Sequence, residues 1–134
     1  MPIRPPQPDE TEKVHRFLCA NGWAHRVGTL EHFSSLLAAS QRVVVAVSDA
    51  GEIQGFARGI TDGLSNGYLS MVVVAPSHRR QGIGRALVQS IMGADLGVTW
   101  VLRAGREDAP AFFAALGFKA STHAMERPRV PSGD

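Results

Sequence analysis

Residues 71–87 read MVVVAPSHRRQGIGRAL, and this stretch determines the fold that we expect around it. Its first five residues are apolar, which is typical of a buried strand. A basic turn with Gly82 and Gly84 follows, and an amphipathic helix pattern then runs from Gly84 to Leu96, with Gly97 as its expected C-cap. This order predicts an anion site, because the first amides of a helix lack internal partners and the helix dipole adds about half a positive charge there.

Three arginines, Arg79, Arg80 and Arg85, add positive charge around the turn. Glycine has no Cβ, so Gly82 and Gly84 allow the backbone to approach a ligand closely. A phosphate or pyrophosphate group is therefore the expected occupant of this turn.

Three phosphate-binding patterns can be compared with the turn. The P-loop requires a Gly-Lys pair, and the chain contains none. The dinucleotide fingerprint requires a third glycine where Leu87 stands. The third pattern, [RQ]-x-x-G-x-[GA], is matched in full by residues 79–84.

A second segment, residues 109–118, reads APAFFAALGF. With both segments the chain resembles the GNAT superfamily of acyl-CoA-dependent N-acetyltransferases, whose late segment follows A-x-x-F-Y-x-x-L-G-F. The resemblance covers nearly the whole chain. It implies an α/β (α+β) fold, with a mixed central sheet of about six or seven strands flanked by helices. We expect one domain over residues 1–134, with a frayed tail at 128–134.

The resemblance also implies acetyl-CoA as co-substrate, and no metal. The backbone of the strand before the turn would hold the pantetheine arm, and the turn would hold the pyrophosphate. The residues expected to bind the cofactor are Val72, Val73, Val74, Arg79, Arg80, Gln81, Gly82, Ile83, Gly84, Arg85, Arg106 and Phe113.

The implied reaction is direct attack of a primary amine, on a small molecule or on a protein or peptide, at the acetyl group. The amine must lose a proton, and an acid can protonate the leaving thiolate. Phe113 stands where the family commonly has a tyrosine, and it has no proton to donate. The candidate catalytic residues are Asp62 as base, Tyr68 as a substitute acid, and Ser70 as a residue that positions water.

A second hypothesis is a catalytically weak acyl-CoA-binding module or sensor, because Phe113 replaces the usual acid. The net charge of +2 is slight, and no aromatic residues alternate with the arginines, so we expect no nucleic-acid partner. The longest apolar run, residues 71–76, is too short for a bilayer, so we expect no membrane partner. Cys19 is the single cysteine, which favours a cytoplasmic location, and a homodimer is a possible assembly.

The distribution of apolar and turn-forming residues in the rest of the sequence predicts the other strands and helices. Strands are predicted at 3–4, 42–48, 53–61, 68–74 and 98–102, and two last strands at 118–121 and 123–126. Helices are predicted to begin near Asp9, at Thr29 and at Ala109.

Overall fold

The structure is a computed structural model that describes residues 2–131 of the 134-residue chain. It divides into two compact units between Arg103 and Ala104. Among the described residues, the first unit contains the sheet, four α-helices, 3-10 turns at Pro8–Glu10 and Pro76–His78 and a π-helical turn at Cys19–Trp23, and the second contains one short α-helix. Within residues 2–131, no helix has both the length and the apolar character needed to cross a membrane. The expectation of a single domain over residues 1–134 stays a prediction.

The first unit is built on one sheet of five strands in the order β1-β2-β3-β4-β5. Neighbouring strands are antiparallel, except β4 and β5, which are parallel, so the sheet is mixed as predicted. The strands are β1 (Ile3–Arg4), β2 (Arg42–Val47), β3 (Ile53–Thr61), β4 (Asn66–Val74) and β5 (Thr99–Leu102).

Five strands are fewer than the six or seven that the family resemblance implied. The two last strands predicted at 118–121 and 123–126 are wrong: these segments contain no strand, and residues 119–131 are exposed. They carry few apolar side chains, so an alternating pattern there has little apolar surface to bury. Of the predicted tail, residues 128–131 form neither helix nor strand, and residues 132–134 lie outside the described part of the chain.

Helices follow the predicted starts closely. The first unit contains α1 (Thr11–Leu18), α2 (Ala24–Val27), α3 (Leu30–Ala38) and α4 (Ile83–Met92), and the second contains α5 (Ala109–Ala114). Thr29 caps α3, because its Oγ1 accepts the His32 N–H at 3.1 Å.

Helix α4 ends earlier than predicted. It stops at Met92, with Gly93 as its C-cap at φ +70°, so the expectation of Gly97 as the cap is wrong. Arg42 Nη1 donates to the Ile91 carbonyl at 2.7 Å and satisfies one of the helix's last acceptors. Leu96, which was predicted within the helix, lies beyond its end and is 98% exposed.

The sheet has a different helical layer on each face. Helices α1 and α3 cover one face, where Leu18, Phe33, Phe56 and Met71 belong to one buried cluster. Helix α4 covers the other face, and a Cβ added to Gly59 would lie 2.6 Å from Ile91 Cγ2. We call these the α1/α3 face and the α4 face.

Strand β4 has an extra residue relative to β3. Leu69 pairs with Gly59 and Met71 pairs with Arg58, so Ser70 has no Cα partner between them. This arrangement is a β-bulge, which interrupts the alternation of side chains. Leu69 therefore shares a face with Gly59, the α4 face, whereas Met71 points into the cluster on the α1/α3 face.

Candidate acyl-CoA site

The turn between β4 and α4 contains two residues in the left-handed region of backbone conformation. Arg80 and Gly82 have positive φ angles of +66° and +80°, and α4 begins at Ile83. The left-handed region costs a residue with a Cβ roughly 1–2 kcal/mol, so Arg80 is strained while Gly82 is not. A Cβ added to Gly82 would meet no atom within 4 Å, so the space beside the start of α4 is open.

The side chains of this turn leave its amides free to bind an anion. Gln81, Gly82, Ile83 and Gly84 stand at the N-terminus of α4, where the first N–H groups have no acceptor within the helix. The Ile83 side chain is buried with 2% exposure, so only its backbone is available there.

The charged residues of the turn differ in what they contact. Arg80 and Arg85 are exposed. Arg79 Nε donates to the Val74 carbonyl at 3.4 Å, which ties this side chain to the end of β4. The turn therefore combines unpaired amides with positive side chains, the features that bind phosphate.

Strand β4 has one unpaired edge just before the turn. Its pairing with β5 covers four positions and ends at Leu69 and Leu102, so residues 70–74 have no strand on that side. Ala75 N–H donates to the Gln54 carbonyl at 2.9 Å, which fixes the direction of the backbone groups. Because these groups alternate along a strand, those of Val72 and Val74 point towards the open edge.

Val73 has the opposite orientation. It pairs with Phe56 on β3, and its side chain is 2% exposed within the buried cluster. This geometry argues against the predicted cofactor contact of Val73 and favours those of Val72 and Val74.

Two of the three candidate catalytic residues lie together. Ser70 is the bulge residue, and its Oγ accepts from Arg58 Nη1 at 2.7 Å. Tyr68 stands two positions earlier, is partly buried, and is close enough to Arg58 to favour the charge of that guanidinium. Both residues therefore lie near the point where β4 loses its β5 partner.

Asp62 lies apart from them, in the loop between β3 and β4. Its Oδ1 accepts the N–H groups of Leu64, Ser65 and Asn66, at 2.8, 2.8 and 3.2 Å, and its Oδ2 accepts the Ser65 hydroxyl. The Ser65 hydroxyl and these backbone groups hold the pKa of Asp62 far below its usual range. A carboxylate that binds protons so weakly and is engaged in its own loop is a poor general base.

Arg58 is the residue of this region that the sequence analysis missed. It is 8% exposed, and it donates through Nε to Ser40 Oγ at 2.6 Å as well as to Ser70. Burial lowers the pKa of Arg58, and nearby Tyr68 opposes that change. The available signal was an arginine in the middle of the apolar strand that contains Phe56 and Ile60.

The second unit holds the last two predicted cofactor residues. The Arg106 carbonyl accepts the Ala109 N–H at 3.1 Å at the start of α5. The Phe113 ring packs edge-on against Phe112 and Phe118, with centroids 4.9 and 5.7 Å away. The roles of Arg106 and Phe113 in cofactor binding stay predictions.

A metal centre has no support within the described residues 2–131, where no group of three or more His, Cys, Asp or Glu side chains is placed to hold an ion.

Comparison with solved structures finds the same fold in several acetyltransferases. A GNAT family acetyltransferase from Streptococcus pneumoniae is 22% identical, with a TM-score of 0.73 and coverage of 98% of each chain. A protein from Xanthomonas campestris assigned to the GNAT family is 24% identical, with a TM-score of 0.76 and coverage of 96% of this chain and 94% of its own. An acetyltransferase from Trypanosoma brucei is 23% identical, with a TM-score of 0.72 and coverage of 96% of this chain and 99% of its own.

None of the curated proteins compared matches the chain significantly. The family model described as "Acetyltransferase (GNAT) domain" matches residues 39–120, which include the whole of β2 to β5, the anion turn and α5. Because this match covers more than half of the chain, including the strand β4 and the turn after it, the chain belongs to the GNAT family of acetyltransferases.

Proposed function

We propose that this protein transfers an acetyl group from acetyl-CoA to a primary amine by direct attack. The observation that carries the proposal is the continuity of two features. Along the chain, the unpaired edge of β4 at residues 70–74 is followed, after the short helical turn Pro76–His78, by the open space beside Gly82. An elongated molecule with amide groups along one arm and phosphates at its end has the chemistry that fits both.

Each part of the site fits one part of acetyl-CoA. The backbone groups of Val72 and Val74 would bind the pantetheine amides in the manner of an added strand. The amides at the start of α4, with Arg80 and Arg85, would bind the pyrophosphate. When bound, acetyl-CoA supplies an acetyl group activated as a thioester.

The side chains around the open edge can assist the transfer in two ways. Apolar neighbours such as Val72 exclude water from the reacting group. The Tyr68 hydroxyl is the candidate proton donor, and the Ser70 hydroxyl can orient a water or the acceptor itself. We assign no role in proton transfer to Asp62, because its oxygens are engaged within its loop.

The alternative is an acyl-CoA-binding module or sensor with little activity. Phe113 favours it, because phenylalanine has no proton to give to the leaving thiolate. A CoA thiolate is stable enough near neutral pH for transfer without an acid, so Phe113 alone does not decide against catalysis.

Thermal unfolding with acetyl-CoA tests the cofactor, with ATP and NAD as phosphate-containing controls. A ligand at one hundred times its Kd stabilises a fold by about 2.7 kcal/mol, which at this chain length is a shift of several degrees in Tm. A shift with acetyl-CoA alone supports the proposal, and a shift with only ATP or NAD contradicts it. Release of free CoA thiol that depends on an added amine then separates the transferase from the binding module.

A further inference from the structure

Arg58 is a buried cation in the middle of the sheet. It pairs with Met71 across β3 and β4, so its side chain lies on the α1/α3 face, and only 8% of the residue is exposed. The guanidinium stays charged at neutral pH, because arginine does not lose its proton in proteins. Buried cations are usually paired with an anion, so the partners of Arg58 need an explanation.

The partners of Arg58 are neutral. Its Nε donates to Ser40 Oγ at 2.6 Å and its Nη1 donates to Ser70 Oγ at 2.7 Å. The ion pairs of Arg4 with Glu10 and of Arg16 with Glu12 do not include Arg58. Within residues 2–131 the positive charge therefore has no acidic counterpart.

Two hydrogen-bond donors remain at this position. Ser70 Oγ accepts from Arg58, so its own proton is available to an acceptor, and residues 2–131 provide none. The Arg58 Nη2 group likewise has no acceptor among the described residues. Ser40 differs, because its hydroxyl already donates to the Leu36 carbonyl at 2.6 Å. A hydroxyl and a guanidinium that each have a donor unused within the chain form a suitable pair for the two oxygens of a carboxylate.

The position of the pair matches the acceptor side of the proposed reaction. Ser70 is the first residue of β4 beyond its last partner on β5, so it lies at the inner end of the open edge. Helix α4 closes the opposite face, where added Cβ atoms at Gly55 and Gly59 would come within 3 Å of its side chains. On the face that carries Arg58, the unused donor of Ser70 lies at the inner end of the open edge of β4, which favours this face for the acceptor.

We propose that Arg58, together with the Ser70 hydroxyl, binds a carboxylate of the acceptor. This inference rests on the proposed acetyltransferase function and assigns its substrate class: amines that carry a carboxylate a few bonds from the nucleophilic nitrogen, as amino acids do. The Ser70 hydroxyl would donate a hydrogen bond to one carboxylate oxygen and the guanidinium of Arg58 would donate to the other. Arg58 is in this view a specificity residue that touches the substrate.

Matched pairs of acceptors test the assignment: glycine with glycinamide, β-alanine with β-alaninamide, and L-leucine with L-leucinamide. For each pair we would measure the ratio of kcat/KM for the acid to kcat/KM for the amide, by release of CoA thiol from acetyl-CoA. Arg58→Met should lower this ratio by about 10-fold to 100-fold, the usual effect of losing a charge-assisted hydrogen bond. Comparing this ratio between Arg58→Met and the wild type cancels the intrinsic difference in reactivity between an acid and its amide.

Arg16→Met is the control, because it makes the same change of charge on the exposed side of α1, and its ratio should equal that of the wild type. Arg58→Lys keeps the charge and should keep part of the preference. If Arg58→Met does not fold, as judged by circular dichroism, Ser70→Ala carries the same comparison and should also lower the ratio. An unchanged ratio in folded Arg58→Met or Ser70→Ala overturns the proposal, because a purely structural role affects acids and amides equally.

A binding experiment separates this inference from the proposed function. Thermal unfolding of the CoA complex with each acid and amide reports carboxylate binding without any turnover. A Tm shift by the acids that disappears in Arg58→Met supports the carboxylate site even if no amine is acetylated. Turnover of amides with no preference for acids, in turnover or in Tm, refutes the carboxylate site and leaves the transferase intact.

Discussion

The Nη1 atom of Arg58 lies 2.7 Å from Oγ of Ser70, the one residue of β4 that has no Cα partner between Leu69 and Met71. The bulge thus turns a serine hydroxyl towards a buried guanidinium instead of leaving the two side chains on opposite faces. The Nε atom of the same guanidinium donates to Ser40, which follows the C-terminus of α3. One arginine therefore joins a helix end to the position where the sheet opens.

Gly82→Glu should abolish acetyl-CoA binding. The added side chain would enter the open space beside α4 and place a negative charge where the pyrophosphate is expected. Titration calorimetry should show a loss of affinity of more than about 100-fold, because each 1.4 kcal/mol is a factor of ten and both repulsion and obstruction contribute.

Two control variants separate charge and obstruction from backbone strain. Gly82→Asn tolerates a positive φ and should bind acetyl-CoA far better than Gly82→Glu. Gly51→Glu puts the same residue at φ +83° in the β2–β3 turn and should bind as the wild type does. Normal binding by Gly82→Glu would show that the phosphate site is wrongly assigned.

Gly67→Ala should destabilise the pairing of β4 with β5. A Cβ at this position would lie 2.5 Å from Trp100 Cε3, so the indole ring has to move. Overpacking of this kind usually costs about 1–3 kcal/mol, which should appear as a Tm lower by several degrees. Gly105→Ala is the control, because its Cβ would meet nothing within 4 Å; equal Tm values for the two variants would contradict the crowding at Trp100.

The free energy of unfolding should fall in acid through Glu10. Hydrogen bonds from the Arg4 guanidinium and from the Gln7 N–H lower the pKa of Glu10 to about 2, from an ordinary value of 4.5. A carboxyl group with a lowered folded-state pKa stabilises the fold above its unfolded pKa. This stabilisation is therefore complete above pH 4.5 and is lost as the pH falls from 4.5 towards 2.

Urea unfolding at pH 6 and pH 3 measures the effect. Glu10→Gln should reduce the difference in stability between the two pH values. Glu12→Gln, which removes the exposed pair with Arg16, should leave that difference nearly as in the wild type. If the pH dependence of stability is unchanged in Glu10→Gln, groups other than Glu10 cause it.

Tyr68→Phe should lower kcat about 10-fold or more if the phenol protonates the leaving thiolate, and leave the KM for acetyl-CoA unchanged. The substitution removes only the hydroxyl, so packing beside Arg58 is retained. Steady-state kinetics with one acceptor at saturation measure the change. A kcat within twofold of the wild type would remove Tyr68 from the reaction.

The sequence predicted those elements whose signal is local. The apolar strand β4, the helix that starts after its glycine turn and the helix start at Thr29 each depend on neighbouring residues, and all three are confirmed. The end of α4 was predicted four residues too late, because Gly93 and Gly97 are both acceptable caps and only tertiary contacts distinguish them. Arg42, 49 residues away from Ile91, supplies one such contact.

Arg58 could not be identified in this way. Its burial depends on Ser40 and Ser70, which are 18 and 12 residues away in the sequence. It also depends on the β-bulge at Ser70, and nothing in the sequence of β4 indicates where this bulge lies. The role of Asp62 as a base stays a prediction, and the structure gives its oxygens other partners. An aspartate at the end of a strand suggests a base, whereas the serine and amides just after it give it a structural task in the loop.

Because of the bulge at Ser70, the buried side chains of the two halves of β4 lie on opposite faces of the sheet. Before the bulge, Leu69 lies on the α4 face, since it pairs with Gly59; after it, Met71 and Val73 lie in the buried cluster on the α1/α3 face. Deleting Ser70 would restore regular alternation of side chains along β4. The buried side chains of one half of the strand would then point to the opposite face of the sheet, and the helical layer that they now contact would lose them. The number of residues in β4, and not only their apolar character, is therefore fixed, because this strand supplies buried side chains to both faces of the sheet.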